Sequence, residues 1–208
     1  MYECVIFDVD GTLIDTEEAS VLSLRKLLRE ETISRYPVKD LSFIMGLTGV
    51  EELKRLGVRN AEAANVRWNQ YIKDYYHLVE VFTDIELLLN KLMSLGIKTG
   101  IVTSKTRQEL MDDLSPFGLQ KYFPFTVCAD DTIRHKPDSE PIFKIMDIVN
   151  VKPKQMIYIG DTENDLLAAK GAEVDFGLAV WGAERREFPG AQHRFINPLE
   201  IIRVVTAN

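Results

Sequence analysis

Cys4-Val5-Ile6-Phe7 runs straight into Asp8-Val9-Asp10-Gly11-Thr12, and this junction limits the folds open to the chain more than any other stretch. Four apolar residues without alternation suit a strand buried on both faces, as in a parallel sheet covered by helices. Gly11 lets the chain bend directly after the acids. In a parallel sheet such a turn falls at the carboxyl ends of the strands, where ligands bind. Two carboxylates one residue apart at that place suit phosphoryl transfer, with Asp8 attacking phosphorus and Asp10 protonating the leaving oxygen and then activating water. Acids so close repel each other and a phosphate, which implies a hard cation held by oxygen ligands, Mg2+ above all. Loop acids also serve capping and solubility, so the pair alone leaves both uses open.

Beyond residue 80 strand-like and helix-like runs alternate. Strands are expected over residues 97–103, 125–129, 155–160 and 176–180, with a smaller one at 193–196. Amphipathic helices fall at 84–95, 105–114, 140–149 and 162–170, and residues 201–205 form a terminal helix or cover the sheet edge. Between 15 and 80 the texture differs. A helix over 16–31 carries Val21, Leu24, Leu27 and Leu28 on one side, with Asp15 or Thr16 as its cap. An apolar patch at Leu41, Phe43, Ile44, Met45 and Leu47 is broken by Gly46 and Gly49, and helical runs resume at 50–56 and 61–76. The absence of a buried strand here points to a helical insertion, 15–80, placed within an α/β domain made of 1–14 and 81–208.

Charge and cysteine usage narrow the partners. The 208 residues hold 32 acids against 25 Lys and Arg, a net charge of -7, with no basic block, so neither nucleic acid nor an anionic membrane is expected as a partner. Cys4 and Cys128 lie in separate apolar runs and read as buried reduced thiols rather than a disulfide framework or zinc cluster. No run approaches the roughly 18–20 apolar residues of a membrane helix, and no basic leader precedes an apolar one, so a cytoplasmic protein is expected. Its oligomeric state, monomer or homodimer, is left open.

Other residues admit two uses each. Thr103 ends a strand-like run, where its hydroxyl could bind a phosphate oxygen or cap the next helix. Lys136, in His135-Lys136-Pro137-Asp138, could bring an ammonium to a phosphate or sit in solvent. Asp161 follows the apolar run 156–160 and can hold a metal, while Asp165 can bind a metal-bound water, orient Lys136, or close a helix-start arrangement with Thr162. Trp68, Tyr71, Tyr75 and Tyr76 have the spacing of a helix packing face, and could otherwise line a nucleotide-sized pocket.

Asp8-Val9-Asp10-Gly11-Thr12, Thr103, Lys136-Pro137 and Gly160-Asp161-Thr162-Glu163-Asn164-Asp165 resemble, in order, the four signatures of haloacid-dehalogenase-like (HAD) hydrolases, in their phosphatase branch. The dehalogenases of that family lack the second acid. The resemblance implies a three-layer Rossmannoid core around a parallel sheet of order 5-4-1-2-3, with an inserted helical cap of the C1 type. It also implies catalytic roles for Asp8, Asp10, Thr103 and Lys136, and phosphate binding by these four with Val9 and Ser104. Asp8, Asp10 through its carbonyl, and Asp161 would hold Mg2+, with Asp165 acting behind them. Ser104 stands where close relatives often have Asn. In capped relatives the leaving group meets the cap turn, here Gly46, Leu47 and Thr48. Val81-Phe82-Thr83-Asp84, Glu140-Pro141-Ile142 after Lys136-Pro137, 165–170 and Val180-Trp181-Gly182 are similar to the phosphoglycolate phosphatase and PpaX-like pyrophosphatase branch. A small phosphorylated metabolite, 2-phosphoglycolate first, is the expected substrate, with pyrophosphate and nucleoside 5′-monophosphates as alternatives. β-Phosphoglucomutases grip their substrate with a cap Arg, and none occurs between Tyr36 and Lys54. A regulatory protein that binds phosphorylated ligands without turnover would have no need of both Asp8 and Asp10.

Overall fold

Strand β1 (Cys4–Phe7) is buried along its whole length in the computed structural model, which describes residues 2–31, 46–183 and 187–207. It pairs in parallel with β4 (Lys98–Val102) on one side and β6 (Met156–Gly160) on the other. Outward from these lie β5 (Phe125–Val127) beside β4, and β7 (Asp175–Ala179) and β8 (His193–Phe195) beyond β6, giving the order β5-β4-β1-β6-β7-β8. The five principal strands therefore take the expected order, and β8 extends the sheet at the β7 edge. Phe7 stands opposite Ile101 and Ile159, so the three central strands end at one level.

Alternate strand residues serve opposite faces, which is why the strands read as unbroken apolar runs. Val5, Phe7, Ile101, Ile157 and Ile159 pack on one face with α4 (Ile85–Ser94), α5 (Arg107–Leu114) and α8 (Glu200–Thr206). Cys4, Ile6, Val102, Tyr158 and Phe176 pack on the other with α6 (Glu140–Val149) and α7 (Glu163–Gly171). Residues 201–205 thus form a helix that itself covers the sheet, with Ile201 and Val205 buried against it. Both thiols are buried, and burial pushes each up to about 12, so they stay protonated and inert.

The chain leaves this layer through β2 (Ile14–Asp15) and returns through β3 (Glu80–Val81), which pair antiparallel. Between them α1 (Glu17–Glu30), α2 (Gly49–Arg55) and α3 (Ala61–Lys73) enclose a third apolar cluster, including Leu24, Leu27, Leu53, Leu56 and Trp68. Of the aromatic series, Trp68 and Tyr71 lie on α3 and pack in the third cluster, but the helix ends at Lys73 rather than running to 76, so Tyr75 and Tyr76 fall beyond it. Trp68 is buried and donates through Nε1 to Ser23 Oγ at 2.8 Å, while Tyr75 and Tyr76 pack toward the sheet. Leu41, Phe43, Ile44 and Met45 lie outside the described residues. No described helix is long and apolar enough to cross a membrane.

Candidate active site

Because β1, β4 and β6 end together, Asp8, Thr103 and Asp161 leave neighbouring strands at one edge, and Asp8 N donates to Ile159 O at 2.8 Å. The turn after Asp8 is closed by Leu13 N donating to Val9 O at 2.8 Å and Gly11 N to Ile14 O at 3.0 Å. Gly11 takes φ 67°, where a Cβ would be strained and would also collide with the Asp161 carboxylate. Thr12 Oγ1 donates to Asp161 Oδ1 at 3.1 Å, tying the first and fourth motifs together. Trp181 Nε1 donates to Thr12 O at 3.0 Å, and Gly182 lies so close against the Gly11 carbonyl that a Cβ has no room. The Val180-Trp181-Gly182 stretch is therefore a buttress for the Asp8 turn.

Lys136, fully buried, reaches Asp8 Oδ1 at 2.9 Å and Asp165 Oδ1 at 2.7 Å, and donates to Tyr158 Oη at 3.1 Å. A cis peptide joins it to Pro137. Asp165 Oδ2 accepts from Thr162 N at 3.0 Å and from Thr162 Oγ1 at 2.6 Å, so both its oxygens are engaged within the protein. The cap of α7 and the support of Lys136 are thus the same residue, two uses the sequence could only set side by side.

The acids crowd one another. Oxygens of Asp8, Asp161 and Asp165 lie within 4.8 Å of each other. Burial pushes the Asp8 carboxyl up to about 7, against the pull of Lys136 and with a further rise from Asp165 and Asp10. Asp161 is pushed well above the carboxylate range by burial, then by Asp165 and Asp8. Lys136 loses to burial but gains more from Asp165 and Asp8, and stays charged. One buried ammonium among three crowded carboxylates, two of them buried and Asp161 half-buried, leaves room for a further cation, and an all-oxygen donor set fits Mg2+.

A cavity of about 430 Å³ opens over this edge. Asp8, Asp10, Thr103, Ser104 and Asp161 are among the residues that line its sheet side, and Gly46, Leu47 and residues of α1, α2 and α3 line the facing side. Lys136 and Asp165 stand behind Asp8 rather than on the cavity wall. Ser104 Oγ donates to Gly46 O at 3.0 Å, so the serine found in place of Asn joins the sheet edge to the helical segment. Thr103 Oγ1 accepts from Lys105 N at 3.2 Å, which turns the chain while its own proton stays available. Thr48 does not line the cavity. Its hydroxyl donates to Glu51 Oε2 at 2.6 Å and, with Glu51 N, closes the capping box of α2.

Arg55, Glu52 and Thr16 line the cavity in roles that the sequence expectations do not give them. Arg55, on α2, lies one residue past Lys54, and its guanidinium makes no ion pair or hydrogen bond with any described residue. Glu52 is buried on α2, and burial, then the charge of Asp10, pushes its carboxyl well up, favouring the neutral acid. Thr16, expected as a cap of α1, instead donates through Oγ1 to Asp10 Oδ1 at 2.5 Å, while Asp15 Oδ1 accepts from Glu17 N.

The profile of haloacid dehalogenase-like hydrolases matches residues 5–179. The pyrophosphatase PpaX of Halalkalibacterium halodurans is 32% identical over 184 residues, 86% of either chain. The crystal structure of a candidate phosphoglycolate phosphatase from Lactobacillus plantarum superposes with a TM-score of 0.88 at 30% identity, covering 98% of this chain and 99% of that one. CbbY from Rhodobacter sphaeroides, solved with phosphate, superposes at 0.83 with 19% identity over 97% of this chain and 96% of its own, which speaks to the fold alone. A match across most of the chain, joined to both acids of the Asp8 turn, places the protein among enzymes of phosphatase type: it belongs to the haloacid dehalogenase-like hydrolase family.

Proposed function

We propose that the enzyme hydrolyses a small phosphomonoester through a phosphoaspartate on Asp8, with 2-phosphoglycolate as the leading substrate. The observation that carries this is the Asp8 carboxylate at the cavity floor, 2.9 Å from a buried ammonium and followed by a second acid on the cavity wall. An Asp8 oxygen attacks phosphorus, the bond from phosphorus to the leaving oxygen breaks, and Asp10 supplies the proton that oxygen needs. Asp10 then takes a proton from water, whose oxygen attacks the phosphoaspartate, releasing phosphate and regenerating Asp8. Lys136 holds Asp8 ionised and offsets the charge of the phosphoryl group. Thr103 Oγ1 and the backbone amides of Val9, Asp10 and Ser104 are its donors to phosphate oxygens. Asp8, the Asp10 carbonyl and Asp161, with Asp165 in support, would hold Mg2+, which would supply neutralisation of the negative charge that otherwise keeps nucleophile and phosphate apart.

Residues 15–80 serve as a cap on a core of 1–14 and 81–208. Support comes from their separate apolar cluster and from the paired β2 and β3 at their two ends. Cap closure would keep bulk water from the reacting centre.

Arg55 favours an anionic leaving group: an unpaired guanidinium on the cavity wall suits a carboxylate or a second phosphate better than a neutral sugar. That agrees with phosphoglycolate, and equally with pyrophosphate, the second reading, which the PpaX relatives favour. A panel of kcat/KM values with Mg2+ across phosphoglycolate, pyrophosphate, sugar phosphates and nucleoside monophosphates tests both. Arg55→Ala should lower kcat/KM for the anionic leaving groups by about 10- to 100-fold, 1.4–2.7 kcal/mol, while changing turnover of neutral ones little. Preference for pyrophosphate by more than about tenfold would replace phosphoglycolate. Binding of these ligands without hydrolysis would overturn the enzyme mechanism.

A further inference from the structure

Lys105 follows the Thr103-Ser104 corner and reads in sequence equally as a further positive residue near the phosphate site or as a solvated helix start. In the fold its side chain is 17% exposed, and its ammonium lies 3.1 Å from Asp10 Oδ1 and 2.7 Å from Asp113 Oδ2. Asp113, buried on α5, has its other oxygen occupied by the Tyr76 hydroxyl, which donates to Oδ1. Asp10 Oδ1 also accepts from Thr16 Oγ1 at 2.5 Å. Two donors from different parts of the chain therefore meet one oxygen of Asp10, while Oδ2 has no hydrogen-bond partner among the described residues.

A carboxyl group whose one oxygen is filled by donors carries its proton on the other. Fixing which oxygen that is also fixes where the proton points, and general acid catalysis depends on that geometry. Thr16 can rotate its hydroxyl away. The ammonium cannot leave so freely, because Asp113 and, through it, Tyr76 hold it. We propose that Lys105 is a positioning residue for Asp10, locking Oδ1 so that Oδ2 faces the leaving oxygen, and that Asp113 and Tyr76 keep Lys105 in place. Thr16 precedes α1 and Tyr76 follows α3, so the arrangement is assembled from both ends of the helical segment. The inference rests on the proposed role of Asp10.

Phenyl phosphate and p-nitrophenyl phosphate make the test, since their shapes are close but a nitrophenolate leaves with far less need of a proton. With Mg2+ present, kcat/KM is measured for wild type, Lys105→Met, Lys105→Met/Asp113→Asn and Tyr76→Phe. The double variant leaves no unpaired buried carboxylate, and Tyr76→Phe removes a single hydroxyl far from the phosphate, so at least these two should fold, as circular dichroism would verify. In the Lys105 variants the loss on phenyl phosphate should exceed that on p-nitrophenyl phosphate by about tenfold or more, part of the 10²–10⁴ that general acid catalysis supplies. Tyr76→Phe should show a smaller bias in the same direction. Equal losses on the two esters would make Lys105 a phosphate-binding or purely structural residue and overturn the inference, as would no loss in a folded variant. A wild-type enzyme that hydrolysed neither these esters nor any member of the substrate panel would overturn the proposed function, and this inference with it.

Discussion

Asp8 shares a single buried ammonium with Asp165 and faces Asp161 at close range, an arrangement that serves chemistry better than stability. Asn at this position keeps an acceptor for Lys136 and removes one of three crowded charges, and Lys136 retains Asp165 as its counter-charge. Asp8→Asn should therefore fold as well as the wild type or better in the absence of metal, while turnover falls by about 10³-fold or more because the nucleophile is gone. Thermal melts in EDTA beside phosphate-release assays check both halves, and full activity in a contamination-free preparation would contradict the mechanism. Asp8, Asp10, Thr103, Lys136 and Asp161 were legible in sequence because each ends an apolar run or joins a recognisable local pattern. Lys105 and Arg55 were not, since an ammonium shows its meaning only through partners such as Asp10 and Asp113, which other elements supply, and Arg55 through a cavity wall that exists only once α2 is folded. Thr16 misled for a related reason: it stands at the N-cap position of α1, but its side chain makes no cap hydrogen bond and turns to donate to Asp10, a partner that the sequence pattern before a helix does not show.

The loop after β7 shows how one element sets the geometry of another. Gly182 packs against the Gly11 carbonyl, and Trp181 holds Thr12 O, so the Asp8 turn is pressed from the β7 side. Gly182→Ala must displace that turn, because the obstructing atoms are backbone and cannot rotate away. We expect a cost of about 1–3 kcal/mol in urea unfolding and a loss of at least about tenfold in kcat/KM. Unchanged stability and activity would show that the turn is looser than the packing implies. The elements themselves were well marked in sequence: β1 and β6 by apolar runs, β4 and β7 by short strand-like runs after a helix stop, α4 and α6 by their helical spacing. Sequence left residues 201–205 between a helix and an edge cover, because a short apolar stretch carries no period, and the packing of Ile201 and Val205 on the sheet decides it. Thr48 sits in a glycine-flanked turn that suits a ligand contact, but Glu51 three residues later marks it as the cap of α2.

Across the whole molecule, net charge and site charge act in the same direction. The chain carries -7, and without a cation the strand edge adds buried carboxylates that resist ionisation. A carboxyl raised in the folded state binds a proton that the unfolded chain has already released. Its contribution to stability is full below the ordinary carboxylate range near pH 4 and is lost as pH rises through the folded value, about 7 for Asp8. Metal-free protein should therefore lose stability between about pH 4 and 7, with Asp161 acting in the same sense. Lys136, held above its usual value, keeps its charge throughout this window and does not reverse the trend. Mg2+ competes with protons for the same oxygens, so its stabilisation should grow over that interval. At a hundredfold excess over Kd it adds about 2.7 kcal/mol, roughly 5–10 °C in Tm for a chain of this size. Melting curves in EDTA and in saturating Mg2+ at pH 5 and pH 8 measure it directly: the rise in Tm on adding Mg2+ should be clearly larger at pH 8, and Asp8→Asn should shrink that difference. Equal rises at the two pH values would mean that these carboxylates do not bind the ion, whatever their spacing.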